Sequence, residues 1–348
     1  MYSEIEIDGA VSAGALSPEA AAALRNHVAA SRATPAVDEE HFRLLTGFND
    51  IFVSVALVLL LVAVAWIGNA VASPLAGAGV AAASWGLAEY FTRVRRMALP
   101  SILLLLSFAG GVGATVVAIA AESVSNPSQS VAAMIGAVAA LATAAASWLH
   151  WRRFMVPITV AAGAVALAAA VAAMAMSSVD DPGRIAPWLS LLLGLAIFAL
   201  AMRWDTSDRG RTTRRSDVAF WLHLAAAPMI AHPIFQLLGV FGGSIGVGVA
   251  LIVIALYITF ALVALAIDRR ALLVSGLAYV LFALTRLFET AGAIELSAAF
   301  TALVIGSALL LLSAFWHTAR TAVVRMLPTL WRERLPLTGR LVVSPQPA

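Results

Sequence analysis

The chain has 348 residues, of which 61% are hydrophobic and 12% charged, with a formal net charge of +3. A soluble domain sits near half apolar and a quarter charged, so these proportions exclude an ordinary soluble fold. There is no cysteine, which excludes disulfides, thiolate metal sites and thiol catalysis. The apolar excess falls in runs of about twenty residues, the length that crosses a bilayer. Ten-residue segments of alternating polarity, the mark of a membrane barrel, are absent. The predicted class is an all-α integral membrane protein, with about 10 transmembrane helices arranged as helical hairpins and a small cytoplasmic N-terminal helical segment.

Residues 1–50 are read as that N-terminal segment, and as the place where a cytoplasmic protein partner would dock. Ile5, Ile7 and Val11 line one side of a short helix that stops at Gly14. Ser17-Pro18-Glu19 follows as an N-cap, a proline at the first helical position and an acid in the first turn. That helix runs to about Ser31. Asp38-Glu39-Glu40 opens a third helix, and Phe48-Asn49-Asp50 marks entry into the membrane. The first apolar run is too long and too late for a cleaved signal peptide.

The transmembrane domain is expected over 51–316. Its spans are read at 51–72, 75–91, 101–121, 130–149, 155–176, 185–203, 218–239, 244–267, 270–288 and 295–316, the second being the shortest. Residues 317–348 form a basic tail. There Val323, Val324, Leu327, Leu330 and Trp331, beside Arg320, Arg325, Arg332 and Arg334, predict a short interfacial helix.

All 22 basic residues are arginine, a usage that reads as the composition of a GC-rich bacterial genome. With the N-terminus inside, every arginine except Arg184 and Arg286 falls in an inside loop, at a span edge or in a terminal segment. The outside loops carry Glu122, Asp180, Asp181, Glu289 and Glu295. This asymmetry predicts a bacterial inner-membrane protein with both termini cytoplasmic. It also accounts for the arginines without a nucleic-acid partner; the partner implied by the spans is the lipid bilayer. A weak repeat runs through the hairpins. Ala81–Trp85 recurs at Ala144–Trp148, and Arg95-Arg96-x-x-x-Pro100 recurs at Arg152-Arg153-x-x-x-Pro157. Arg214-Arg215 and Arg269-Arg270 hold the same place later. Both a parallel array of two-helix hairpins and simple composition bias account for it.

Gly14-Ala15-Leu16-Ser17-Pro18-Glu19-Ala20 with Leu24-Arg25, then Phe42-Arg43-Leu44-Leu45-Thr46-Gly47-Phe48-Asn49-Asp50 and Trp221-Leu222-His223, resemble segments of uncharacterised bacterial predicted multi-pass membrane proteins. In those, a short L-S-P-E-x-A helical segment precedes eight to ten or more spans. The resemblance implies no activity, substrate or catalytic residue.

The seventh span concentrates the polar groups. Pro228 cannot donate to the Leu224 carbonyl, nor Pro233 to that of Met229, which frees two backbone acceptors at membrane depth. His232 immediately precedes Pro233, a position disfavoured in helix. Two readings follow: a local break near 228–233, of the kind that builds transporter sites, or a simple kink met by neighbouring side chains, which the frequency of prolines in membrane helices favours. His223 and His232 are nine residues apart, about 180° around a helix, so they do not ligate one metal. His232 lies about 22 Å along its span and Arg286 about 24 Å along the ninth. The expected site is thus His232, Arg286 and Glu289, with Pro228 and Pro233 at the break, Tyr279 below and Glu295 at the mouth. Glu289 pairs with Arg286 at i, i+3. The alternative is that Arg286 snorkels to the outer interface.

Lesser candidates are Glu89 as an interfacial partner of Arg93, and His150 as a cation at an inner helix end. Asp205, Asp208 and Asp217 read as a solvated loop, and His223 as ordinary packing. Gly242-x-x-x-Gly246, Ser244-x-x-x-Gly248 and the alanines of the fifth span read as helix-packing surfaces. No catalytic, phosphate-binding or metal motif occurs, and no cofactor is predicted. Three functions remain: a small-solute or ion transporter, slightly favoured; a structural or regulatory membrane scaffold; and a membrane-embedded enzyme acting on a lipid or quinone.

Overall fold

A computed structural model describes residues 4–31, 48–211, 213–240, 246–290, 292 and 296–336. Every regular element among them is helical. The chain divides into two compact units, 1–44 and 45–348.

In the first unit, helices α1 (Glu4–Ser12) and α2 (Pro18–Ser31) form a hairpin through Gly14, whose φ of +72° suits the turn. The Ser17 hydroxyl accepts from Ala20 N, which caps α2 as the sequence predicts. Arg25 bridges back to Asp8 at 2.6 Å, and Ala21 is buried between the two helices. The third N-terminal helix, at Asp38-Glu39-Glu40, lies outside the described residues.

The second unit begins with α3 (Phe48–Val71) and α4 (Ser73–Ala88). A π-helical turn (Glu89–Val94) extends α4 and leads to α5 (Ala98–Ser123) and α6 (Gln129–Phe154). Then come α7 (Ile158–Ser177), α8 (Pro182–Ser207), α9 (Arg214–Leu237), α10 (Val247–Ile267), α11 (Ala271–Thr290), α12 (Ser297–Ala314), α13 (Trp316–Met326) and α14 (Thr329–Arg332). Nine helices among the described residues, α3 and α5 to α12, are long and apolar enough to cross a membrane. The expected tenth is α4, an α-helix of 16 residues followed by 6 in the π turn.

Packing is closest between α4 and α5, α6 and α7, α8 and α9, and α10 and α11. The unit is therefore a series of antiparallel hairpins, as the sequence predicts. Each hairpin turns at or beside one of the arginine pairs, Arg95-Arg96, Arg152-Arg153, Arg214-Arg215 or Arg269-Arg270. The sequence repeat diverges in use: Trp85 packs among Phe108 and Phe154, whereas Trp148 is 60% exposed on the apolar surface.

Small residues set the seams. At the α4–α5 crossing Gly77 and Gly111 bring the two backbones together. Gly194 does the same for α8 against Met229 of α9. The glycines predicted for this role, Gly246 and Gly248, have open space around them, and α10 begins only at Val247. Gly242 and Ser244 lie outside the described residues. The alanine surface of the fifth span is present, with Ala161, Ala166, Ala168 and Ala170 of α7 buried.

Of the long helices α9 is the most enclosed and α3 and α12 the least. Helix α9 packs on α7, α8 and α11 and so forms the axis of this half. Phe52, Leu59, Trp66 and Ile67 of α3 face outward, consistent with a lipid-facing surface. The single interfacial helix expected across Val323–Trp331 is split at Leu327-Pro328: α13 packs on α10 with Trp316, Arg320 and Val324 buried, and Leu330 and Trp331 are exposed on the separate α14.

Candidate functional site

Two polar clusters sit at different levels of α9. The upper one contains the residues singled out from sequence. His232 Nδ1 and the Tyr279 hydroxyl lie 2.7 Å apart, which links α9 to α11. Tyr279 also stacks on Phe235 at 4.2 Å between ring centroids. About two turns further along α11, Arg286 donates to Glu289 at 2.9 Å, the expected i, i+3 pair, and lies over the Phe282 ring. These side chains are not enclosed: Arg286 is 41% and Glu289 32% exposed, and His232 is exposed. The geometry brings His232 to Tyr279 and Arg286 to Glu289. Glu295 lies outside the described residues.

Of the two readings of Pro228 and Pro233, the break does not occur. Helix α9 runs unbroken from Arg214 to Leu237 across both prolines. The physical reason is visible at Met229, whose carbonyl loses its helical donor to Pro233. The Ser190 hydroxyl of α8 donates to that carbonyl at 3.2 Å. Gly194, one turn along α8, lets this helix approach closely enough, since a Cβ there would meet the Met229 backbone at 2.9 Å. The freed acceptor is thus met by a neighbouring side chain. Pro233 is buried and Pro228 exposed. Ser190→Ala is expected to lower stability by about 0.5–1 kcal/mol, the value of one interhelical hydrogen bond in a membrane protein. Thermal unfolding in detergent checks this; an unchanged midpoint would mean that another group satisfies Met229.

The second cluster lies at the arginine-rich end and was missed by sequence reasoning. Asp205, near the end of α8, is 1% exposed. Its carboxylate accepts from Arg269 Nη2 at 2.5 Å and pairs with His223 Nε2 at 2.8 Å. Arg269 is itself 2% exposed and donates a further bond to the Ser216 carbonyl. His223 is packed edge-on against Phe198, and its Nδ1 is buried without a hydrogen-bond partner among the described residues.

Beside it, Asp268 caps α10 in the left-handed region at φ +58°, a conformation that Asp tolerates better than most residues. Arg211 donates to the Asp268 carboxylate at 2.8 Å and to the carbonyls of Ile267 and Asp268. It therefore serves the exposed dipole end of α10 as well as a single charge. Trp316 Nε1 donates to Asp268 at 2.7 Å, and Arg320 lies 3.5 Å from the same carboxylate. Arg320 and Arg209 then hold the carbonyls of Pro336 and Leu335. Burial and the nearby Arg269 lower the Arg211 pKa, and Asp268 and Asp205 oppose this; the guanidinium stays charged. The network joins α8, α9, the α10–α11 turn, α13 and the following chain.

Several readings are corrected here. Asp205 and Asp208 are buried rather than solvated: Asp208 closes the α8–α9 loop by accepting from Thr213 N and its hydroxyl. His223 is a hydrogen-bond partner of Asp205 rather than plain packing. His150 is not an exposed helix-end cation. It is fully buried among Trp85, Phe108 and Phe154, with its Nδ1 3.4 Å from the Thr159 hydroxyl. Glu89 does meet Arg93, but its nearer partner is Arg153, in a two-point contact at 2.7 and 2.9 Å.

The signal for the second cluster was faint. Two aspartates placed within an arginine-rich loop and a histidine more than two turns inside the next helix do not indicate pairing unless the hairpins are docked. Comparison with protein-family models, with curated proteins and with solved structures finds no match to this chain.

Proposed function

We propose that this chain is a bacterial inner-membrane protein of structural or regulatory function, a packed scaffold that presents its N-terminal helical hairpin to a cytoplasmic partner. The observation that carries this reading is the continuous α9, with the carbonyl freed by Pro233 taken up by Ser190. A transport site built on a broken helix needs that acceptor for its substrate or ion. The buried ionic network at the arginine-rich end supports the same reading, because it ties five chain segments together.

Both termini lie on the cytoplasmic side in this proposal. The arginine distribution supports it. So does the pairing of Glu89 with Arg153, which brings the end of the α4 segment level with the end of α6. With its π turn, α4 then makes the tenth crossing, about 33 Å long at 1.5 Å per residue.

Cysteine scanning in this Cys-free chain tests the proposal. Single cysteines across 218–248 and 270–295 are expected to resist a membrane-impermeant maleimide at mid-span positions. Labelling of mid-span positions on α9 and α11 from outside would sink the scaffold reading. It would establish the second one, a small-solute or ion transporter using His232, Tyr279, Arg286 and Glu289. That reading draws on the His232–Tyr279 contact, which places a titratable pair across two helices on an exposed face.

A further inference from the structure

Where α4 and α6 end, arginine is used differently from the buried network of α8 to α13. Arg153, near the end of α6, contacts Glu89 at two points, and Arg93 reaches the same carboxylate at 3.3 Å. One acid thus ties the end of α6 to the π turn and gathers two guanidiniums beside it. Arg95, Arg96 and Arg152 adjoin that pair in the chain, and all three are exposed. None of the three has a hydrogen bond or an ion pair among the described residues. Arg211 and Arg269, by contrast, are held by the buried carboxylates of Asp268 and Asp205.

Backbone and ring contacts fix where these arginines stand. The π turn closes with Arg95 N donating to Tyr90 O at 2.9 Å and Met97 N to Phe91 O at 3.1 Å. Arg96, between them, has a φ of +51°, in the left-handed region where glycine is the easier residue. Arg152 lies 5.2 Å over the ring of Trp148, one turn back along α6. Stacking uses the face of a guanidinium and leaves its in-plane N–H edge, which is the edge that binds phosphate. Trp148, Tyr90 and Val94 are all exposed, so the charges stand at the margin of the apolar outer surface.

We propose that this margin binds anionic phospholipid, with the lipid phosphate on Arg95, Arg96 and Arg152 and the Trp148 indole at the boundary of headgroup and acyl chain. The cationic surplus selects an anion. The exposed indole and its apolar neighbours select one that carries hydrocarbon, since an indole is at home where one end is apolar and the other wet. Arginine clusters beside a membrane helix attract anionic lipid in this way. A zwitterionic lipid offers the same phosphate without the net charge. The inference rests on the chain crossing a bilayer with its arginine-rich ends at a membrane surface. It holds equally for a scaffold and for a transporter, so the cysteine-scanning result does not decide it.

The test uses the full chain purified in mild detergent. Phosphatidylglycerol and phosphatidylcholine with identical chains are added, and retained lipid is counted by native mass spectrometry. The wild type is expected to retain phosphatidylglycerol about five- to tenfold better. Arg96→Gly removes one guanidinium and relieves the left-handed backbone. It is expected to unfold no earlier than the wild type while its preference falls about twofold, which separates binding from folding. Arg95→Gln/Arg96→Gly/Arg152→Gln is expected to bring the two lipids level. Arg214→Gln/Arg215→Gln, which removes exposed charge elsewhere, is expected to keep most of the preference. A phosphatidylglycerol with a photoreactive group near the glycerol is expected to label 90–96 or 148–152. Equal retention of the two lipids by the wild type, an Arg96→Gly protein with an unchanged preference, or labelling confined to other segments would overturn the proposal. So would a loss as large in Arg214→Gln/Arg215→Gln as in the triple variant, which would mark net charge rather than a site. Stabilisation by inorganic phosphate equal to that by phosphatidylglycerol would also overturn it, by marking a site for soluble anions.

Discussion

Asp205→Leu lowers the stability of the detergent-solubilised protein by about 3–5 kcal/mol, the expected consequence of leaving a buried cation without its partner. Arg269 is 2% exposed and points its guanidinium at Asp205. Once the carboxylate is gone, its remaining described bond is to the Ser216 carbonyl. His223 loses the group that holds its Nε2 as well. Leucine keeps the number and branching of the heavy atoms, so the loss does not report a cavity. The double variant Asp205→Leu/Arg269→Met should recover much of the loss, because removing both charges also removes their desolvation penalty. His223→Phe should cost less than either single charge change. Unfolding midpoints in a thermal or SDS titration measure all of these. If Asp205→Leu and wild type unfold alike, the network is not a determinant of stability and the scaffold proposal loses its second support.

The second large effect is expected at the α4–α5 crossing. A Cβ on Gly111 would lie 2.7 Å from the Gly77 carbonyl oxygen and 3.0 Å from Ala81 N. A Cβ on Gly77 would meet the Gly111 oxygen at 2.6 Å and Thr115 N at 2.7 Å. Each obstruction is backbone, which cannot rotate away, so the two helices must separate. Gly111→Leu is therefore expected to cost about 3 kcal/mol, the upper part of the range for overpacking. Gly110→Leu is the matched control. Gly110 itself points outward with open space around it, and the change should stay within about 0.5 kcal/mol. Equal effects at the two positions would show that the crossing is not a close one.

The upper cluster was legible in part because its signals are local. Arg286 and Glu289 are one turn apart on one helix, so their pairing follows from helical geometry without knowledge of any neighbour. Depth along the spans pointed from His232 to Arg286, with Tyr279 below; the structure brings His232 to Tyr279, near the middle of α11, instead. The choice between a break and a kink at the prolines turns on something no single span contains. Ser190 and Gly194 belong to α8, and only the docking of that helix places a hydroxyl on the Met229 carbonyl. The packing glycines failed in the same way: the spacing of Gly246 and Gly248 marks them as small, but not as facing another helix.

By itself the sequence determined the helical membrane class, the N-terminal cap at Ser17 and helical structure after the last span. Those follow from hydrophobic run length, from capping chemistry and from the period of the side chains, all of which act within one segment. The tertiary structure alone decided that Asp205, His223 and Arg269 form one buried cluster and that α9 stays unbroken. It also decided that Gly77 and Gly111, rather than the later glycines, make the close crossing. Charge pairing, carbonyl satisfaction and backbone contact act between segments, at distances that exist only once the helices are packed.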